Sequence, residues 1–300
     1  MKITLTGSLG RIGTPLAQIL LKERHKVTII SSNPSRRKEI KELGAVAAIG
    51  KLQDIDFLTS SFTGADVVYT MSPPANYFDH DLDLPGYFKE LGNTFAEAVR
   101  ISGVRRVVNL SSIGAHLDEG NGILEGTYLV EQSLDSLAEN VAVTHIRPTE
   151  IYYNLFQFVP LIKEQGIIGS NLAADNVNAW VSPKDIAKCV AEEINTHSSY
   201  GRKVRYVTSE ELTYGELVRI LGTAIGKPDL KWVMITDDQM LQSLESTGMQ
   251  PAIARGMVEM YAAIRSGLLY EDYKLHRPEL LGKVKMKDFA QEFAAVYNEE

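Results

Sequence analysis

Cysteine is almost absent from this chain: Cys189 is the only one in 300 residues. A single thiol excludes an internal disulfide and fits a reducing compartment. It stands in DIAKCVAEEI, a helical pattern, where a small buried apolar role is expected for it. Long apolar runs are also missing. No stretch approaches the ~20 residues that a bilayer-spanning helix needs. The opening residues, MKITLTG, enter a strand without a basic segment and a following apolar run, so no signal peptide is expected. These absences point to a cytoplasmic protein with no membrane partner. There is no concentrated basic stripe, and the formal net charge is −7, which argues against nucleic acid as the main partner. The histidines (His25, His80, His116, His145, His197 and His276) show no metal-ligand spacing, and no metal is expected.

What is present is an ordinary globular composition, 44% hydrophobic and 23% charged, in a chain long enough for roughly two domains. Short apolar runs recur at 2–6, 26–30, 46–49, 66–70, 105–110 and 141–146, with a later one at 203–208. They are rich in Val and Ile and mostly unbroken, as in parallel strands covered on both faces. Helical patterns at 12–23, 34–43, 57–62, 87–102 and 128–138 lie between them. This alternation predicts an α/β fold with a doubly wound, mostly parallel sheet. After Ile146 the pattern changes: residues 148–180 mix aromatics, glycines and asparagines, and 213–300 are mostly helical. A smaller, mainly helical lobe is therefore expected from 149–175 plus 209–300. The sheet domain is expected to take 1–148 plus about 176–208, with 203–208 returning to the main sheet.

The segment TLTGSLGRIGTPLAQIL sets Gly7, Gly10 and Gly13 between a strand and a helix. Gly7 suits the tight turn, Gly10 a close approach to a pyrophosphate, and Gly13 close helix packing; Ser8, Leu9, Arg11 and Ile12 complete the loop. The helix N-terminus would then face the phosphates of a dinucleotide, which makes this a Rossmann-type cofactor site. The alternative is a tight turn that binds nothing. An NAD-selective site usually carries an acid about 20 residues further on. Here TIISSNPSRRKEI has none from Val27 through Lys38. Ser31, Ser32 and Asn33 occupy the strand end, followed by Arg36, Arg37 and Lys38. With Asn33 as N-cap and Pro34 as first helical residue, three cations would crowd a helix start whose dipole disfavours them. A bound 2′-phosphate, gripped by Arg36, would account for them. NADP(H) is thus the preferred cofactor, with NAD(H) possible. The alternative is a solvated basic helix start.

With these motifs the chain resembles the atypical short-chain dehydrogenases, most closely the NmrA-like group. The resemblance rests on TGSLGRIG, GADVVYTMSPP, SGVRRVVNLSSIGA, THIRPTEIYYNLF and AWVSPKDIAKCVAEEI, with LLGKVKMKDFAQEFAAVYNEE as the closing helix. It implies an NAD(P)-binding domain with a small lobe closing over a cleft that holds a small-molecule ligand. It also implies that Met71, Ser72 and Pro73 border the cofactor, that Ser111 and Ser112 approach the nicotinamide ribose, and that Pro148 and Thr149 pass the nicotinamide. Ligands beyond the carboxyl ends of the strands are what physics expects of such a sheet. A simple strand-end turn is the alternative for the two serines.

The usual short-chain reductase pairs a tyrosine proton donor with a lysine four residues later and a serine that orients substrate. In ILEGTYLVEQSL, Tyr128 is followed at that spacing by Gln132, which cannot supply positive charge. Tyr128 and Ser112 are the catalytic candidates on this alignment. On a second alignment Glu131 matches a family glutamate, and the lysine and tyrosine positions hold Thr127 and Ile123. Both alignments lack the lysine. Tyr270 and Lys274 have the spacing, but in the C-terminal helical region, and are read as a helix-surface coincidence. Direct hydride transfer to a quinone or another activated acceptor needs positioning more than a protein acid. Aromatic contacts from Tyr152, Tyr153, Phe156, Phe158 and Trp180, with a hydrogen bond from Asn154, are expected to form the substrate site; core packing is the alternative for each aromatic. The acidic loop 79–85 is expected to rim the cleft. Two functions remain open at this point. One is an NADP(H)-dependent oxidoreductase; the other is a regulator that senses NADP(H) without turnover and reports to a protein partner.

Overall fold

In the computed structural model, which describes residues 1–196 and 200–299, the first apolar run becomes strand β1, Lys2–Leu5, and leads through the glycine loop into α1, Gly13–Lys22. The alternation then continues through β2 (Lys26–Ser31), α2 (Arg36–Glu42), β3 (Val46–Ile49), α3 (Ile55–Phe62) and β4 (Val67–Met71). It goes on with α4 (Leu84–Ser102), β5 (Arg106–Leu110), α5 (Glu125–Asp135) and β6 (Ala142–Pro148). After β7 (Glu150–Ile151) come α6 (Val159–Gln165), β8 (Ile167–Ser170), β9 (Val177–Val181), α7 (Pro183–Asn195) and β10 (Arg202–Val207). The chain closes with β11 (Glu210–Thr213), α8 (Tyr214–Ala224), β12 (Lys231–Met234), α9 (Asp237–Ser246), α10 (Pro251–Ser266), α11 (Glu271–Leu275) and α12 (Met286–Asn298). His197 lies outside the described residues.

Seven strands form one sheet in the order β10-β6-β5-β4-β1-β2-β3, and every pairing in it is parallel. The run at 203–208 does return to it, as the edge strand beside β6. The unbroken apolar runs have a direct cause. Successive strand residues point to opposite faces, and both faces are covered. Ile29, Tyr69 and Val108 pack with Leu16 and Leu20 of α1 and Ile186 and Val190 of α7. Their neighbours Ile30, Val68 and Val107 pack with Phe62 of α3, Phe95 of α4 and Leu134 of α5. Cys189 is buried in the first of these layers, and burial pushes its thiol up to about 11.

The second lobe has its own core, in which Tyr152, Trp180, Tyr214, Phe289 and Phe293 are almost fully enclosed. It also carries five short strands, in a three-stranded sheet ordered β11-β9-β7 and a β12-β8 pair. Strand β9 joins β7 and β11 rather than the main sheet, although residues 176–208 are expected with the sheet domain. These strands run from two to five residues, too short for periodicity to reveal.

Candidate active site

The glycine loop crosses the carboxyl end of β1, where Thr6 exchanges hydrogen bonds with the Met71 backbone at 2.8 and 3.2 Å. That exchange brings Met71, at the end of β4, against the loop. A Cβ on Gly7 would stand 3.0 Å from Met71 Cε. Ser8 takes a left-handed conformation, φ 50°, and turns its carbonyl toward the helix start. A Cβ on Gly13 would lie 2.2 Å from that oxygen, so the residue that must be glycine at the helix start answers to the loop itself. Gly10 faces open space, with only Gly7 O within 4 Å of an added Cβ. No side chain caps the N-terminus of α1. The Ser111 Oγ, at the end of β5, is buried without a partner. An open glycine face, an uncapped helix start and an orphaned hydroxyl together fit a dinucleotide whose phosphates lie on the loop.

At the end of β2, Ser31 is buried and its Oγ accepts from the Asn33 N–H at 3.2 Å. Asn33 Oδ1 accepts from the Ser35 N–H at 3.0 Å, closing a local turn. Helix α2 therefore begins at Arg36, two residues after the expected Pro34, with Ser35 rather than Asn33 at its cap. Ser32 and Asn33 are exposed beside it. Arg36 pairs with Glu39 at 2.5 Å on the surface. That acid answers part of the dipole conflict by itself.

Beyond the ends of β5 and β6 lies a cavity of about 410 Å³. One wall is Ser111, Ser112, Pro148 and Thr149; the opposite wall is Met257, Met260, Tyr261 and Ile264 of α10 with Tyr270. Ser72 and Pro73 follow β4 and are partly buried outside this wall. Residues 152–158 form a 3₁₀ helix, and its three-residue repeat sorts their roles. Tyr152 and Leu155 face the core. Asn154 and Gln157 face the cavity. Tyr153 and Phe156 carry the Arg11 guanidinium, 3.8 and 5.2 Å above their rings, so the glycine loop rests on the second lobe. Tyr153 also lines the cavity, and its hydroxyl donates to Glu292.

Four expected substrate residues are corrected by this arrangement. Tyr152 is 0% exposed, stacks on Phe289 and donates to the Val284 carbonyl at 3.1 Å. Trp180 is 1% exposed and meets Tyr214 edge-on. Both are core residues. Phe156 serves Arg11 rather than the cavity, while Asn154 stands where expected. Phe158 packs edge-on against Trp232. The acidic loop 79–85 does not line the cavity: Asp79 to Asp81 are exposed, and it is Tyr77, just before the loop, that reaches the wall.

On α5, Ile123 and Leu124 just before the helix reach the cavity wall, whereas Tyr128 does not line it. Thr127 donates to the Leu124 carbonyl at 2.7 Å. Glu131 is buried in an ion pair with Arg147, whose guanidinium also meets Asp272 at 2.9 Å. Ile123, which the second alignment sets at the tyrosine position, is in the cavity wall, and Tyr128 is not.

The polar group that sequence reasoning passed over is Glu150, next to Thr149 in the cavity wall. Its Oε2 accepts from Asn178 Nδ2 of β9. Burial pushes its carboxyl up to about 7, against the Asn178 hydrogen bond and the nearby Tyr214 hydroxyl, which favour the ionised form. Tyr270 donates to Asn178 Oδ1 and accepts from the Ala179 N–H at 3.3 Å. The expected surface coincidence of Tyr270 and Lys274 is thus half right. Lys274 is exposed, but the start of α11 turns Tyr270 into the cavity, where burial raises it further above its ordinary value. The sequence signal for Glu150 was an acid inside the apolar run RPTEIYYNLF.

Among the described residues no cluster of three metal-ligating side chains occurs. None of their helices is long and apolar enough to cross a membrane. Comparison with known proteins gives a consistent result. An NAD(P)H azoreductase from Xenophilus azovorans is 25% identical over 261 residues, covering 87% of this chain and 86% of that protein. The triphenylmethane reductase of Citrobacter sp. superposes with a TM-score of 0.78 at 18% identity, over 98% of this chain and 100% of the other. An NADPH-dependent quinone oxidoreductase from Escherichia coli, solved with NADPH, gives 0.79 at 18% identity, over 97% and 99%. These two structures share the fold. The NmrA-like family description matches residues 1–277, and the chain belongs to that family.

Proposed function

We propose that this protein is an NADP(H)-dependent oxidoreductase that passes hydride to a small organic acceptor, a quinone or an azo compound. The observation that carries the reading is the cavity at the carboxyl ends of β5 and β6. It is lined by Ser111 and Pro148 at the strand ends and by Tyr153, which carries Arg11 of the glycine loop, and is closed by the apolar side of α10. The bound cofactor would supply hydride. The protein's part is to hold and orient: the glycine loop and the α1 N-terminus take the phosphates, Ser111 Oγ takes a ribose or amide group, and Arg36 with Arg37 takes a 2′-phosphate. Met257, Met260 and Ile264 exclude water and position a flat acceptor. The names of the relatives above, an azoreductase, a quinone oxidoreductase and a triphenylmethane reductase, support such an acceptor class. A reducing, cytoplasmic setting suits the single buried thiol.

The test is NADPH oxidation against a panel of quinones, azo dyes and aldehydes, with cofactor binding measured in parallel. Turnover of a quinone or azo compound, faster with NADPH than NADH, is expected. Tight NADPH binding without turnover of any acceptor would replace this reading with that of a regulator.

A further inference from the structure

We infer that Glu150 is the acid of this site: its carboxyl gives the proton that follows hydride onto the acceptor. The inference rests on the reductase reading above and names the group that reading leaves open. It starts from the absence of the usual pair. Tyr128 is outside the cavity wall, and Lys274 is exposed at the surface. The cavity also offers tyrosine hydroxyls, and burial raises each of Tyr77, Tyr153, Tyr261 and Tyr270 above its ordinary value. Tyr153 donates to Glu292, and burial and that carboxylate together raise it to about 12. Tyr270 donates to Asn178. Burial raises Tyr261 well above its ordinary value.

Glu150 differs on every count. It sits on β7, held by backbone pairing with Trp180 of β9, so its position in the wall is fixed by a strand rather than a loop. Asn178 Nδ2 occupies Oε2 and would hold the carboxylate left after proton transfer. The ionisable groups that face it are Tyr214 of α8, Tyr261 of α10 and Tyr270 before α11, all neutral near pH 7. No cationic side chain is among the groups that act on its titration. Its carboxyl therefore stays protonated to about neutral pH, the range in which a general acid works best.

Hydride from NADPH forms a bond to one end of the acceptor's conjugated C=O or N=N system, and the π electron pair moves to the oxygen or nitrogen at the other end. That atom takes the proton from Glu150, leaving a carboxylate, which regains a proton from water. NADPH, one proton and the acceptor give NADP⁺ and the dihydro product. The substrate class that gains most is one whose reduction leaves a localised anion on oxygen or nitrogen, as quinones and azo compounds do.

The test compares wild type, Glu150→Gln and Glu150→Asp by the pH dependence of kcat at saturating NADPH and acceptor. Wild-type kcat is expected to fall tenfold per unit above about pH 7. In Glu150→Gln, kcat should drop by roughly 100-fold or more, and the alkaline limb should disappear. Its Kd for NADPH, read by fluorescence, should match wild type, which separates lost acid catalysis from lost folding. Glu150→Asp should restore part of the rate together with the limb. Glu150→Gln activity within a few-fold of wild type, or an unchanged limb, overturns the inference while the reductase reading stands. A wild type that turns over no acceptor overturns both.

Discussion

If Glu150 is neutral in the folded protein and ionised in the unfolded chain, folding stability must carry its signature independently of any catalysis. The carboxyl is raised from 4.5 to about 7, chiefly by burial. A folded-state value above the unfolded one means that the unfolded chain binds fewer protons across that interval, so stability declines as pH rises. The contribution is fully present below about pH 4.5, declines through the interval and is gone once pH has passed about 7. At about 1.4 kcal/mol per unit the loss is about 3 kcal/mol, an upper figure because the side chain keeps some exposure toward the cavity. For a chain of this size that corresponds to a fall of roughly 6 °C in Tm. Every other titrating group contributes too, so the quantity to measure is the difference between wild type and Glu150→Gln. Urea unfolding at a series of pH values from 4.5 to 8.5 supplies it. The stability of wild type relative to the variant should fall across this range and then level off. A difference that is flat, or that rises with pH, would refute the placement of this carboxyl in a poorly solvated wall.

Four other outcomes are expected. Gly13→Ala would drive a methyl group into the Ser8 carbonyl at 2.2 Å, and it should weaken NADPH binding at least tenfold by calorimetry, with Tm lowered as well. Arg36→Ala should raise KM for NADPH by roughly tenfold, the worth of one charge-assisted contact, and leave KM for NADH nearly unchanged. Arg147→Ala would strand buried Glu131 and cost about 3–5 kcal/mol in urea unfolding, whereas Arg277→Ala, which unpairs Glu211 at the surface, should cost under about 1 kcal/mol. Tyr128→Phe should leave kcat within twofold of wild type, since the ring lies outside the cavity wall.

The main sheet was legible because its strands are buried on both faces. Runs such as RVVNL and VVYTM need no interpretation beyond covered strands, and they fall within a residue or two of their expected places. The glycine loop was legible because its constraints are local: Gly13 is fixed by an oxygen five residues earlier. The second lobe was less so. Its strands are short, and the spacing of its aromatics did not reveal a 3₁₀ helix, whose three-residue repeat sends Tyr152 into the core and Asn154 into the cavity. Glu150 was hidden for a different reason. Its importance comes from Asn178 and Tyr270, far along the chain, and from the loss of water around it, none of which is encoded near residue 150.

A tyrosine becomes a useful acid near neutral pH only when a cation stands close enough to stabilise the phenolate. On α5, Thr127 turns its hydroxyl back to its own helix and Glu131 is consumed by Arg147, while Arg11, which stands over the Tyr153 ring, is outweighed there by burial and Glu292. Enclosing the cavity makes the tyrosines in its wall poorer acids, because burial opposes the phenolate. Enclosure acts on a carboxyl with the same sign but from a lower starting value, and so carries Glu150 toward neutrality instead of away from it. The dry apolar wall that α10 builds over the acceptor is therefore compatible with carboxyl acid catalysis and hostile to unassisted phenol catalysis. One physical cause, the exclusion of water, both secures hydride transfer and decides which side chain in the wall can deliver the proton.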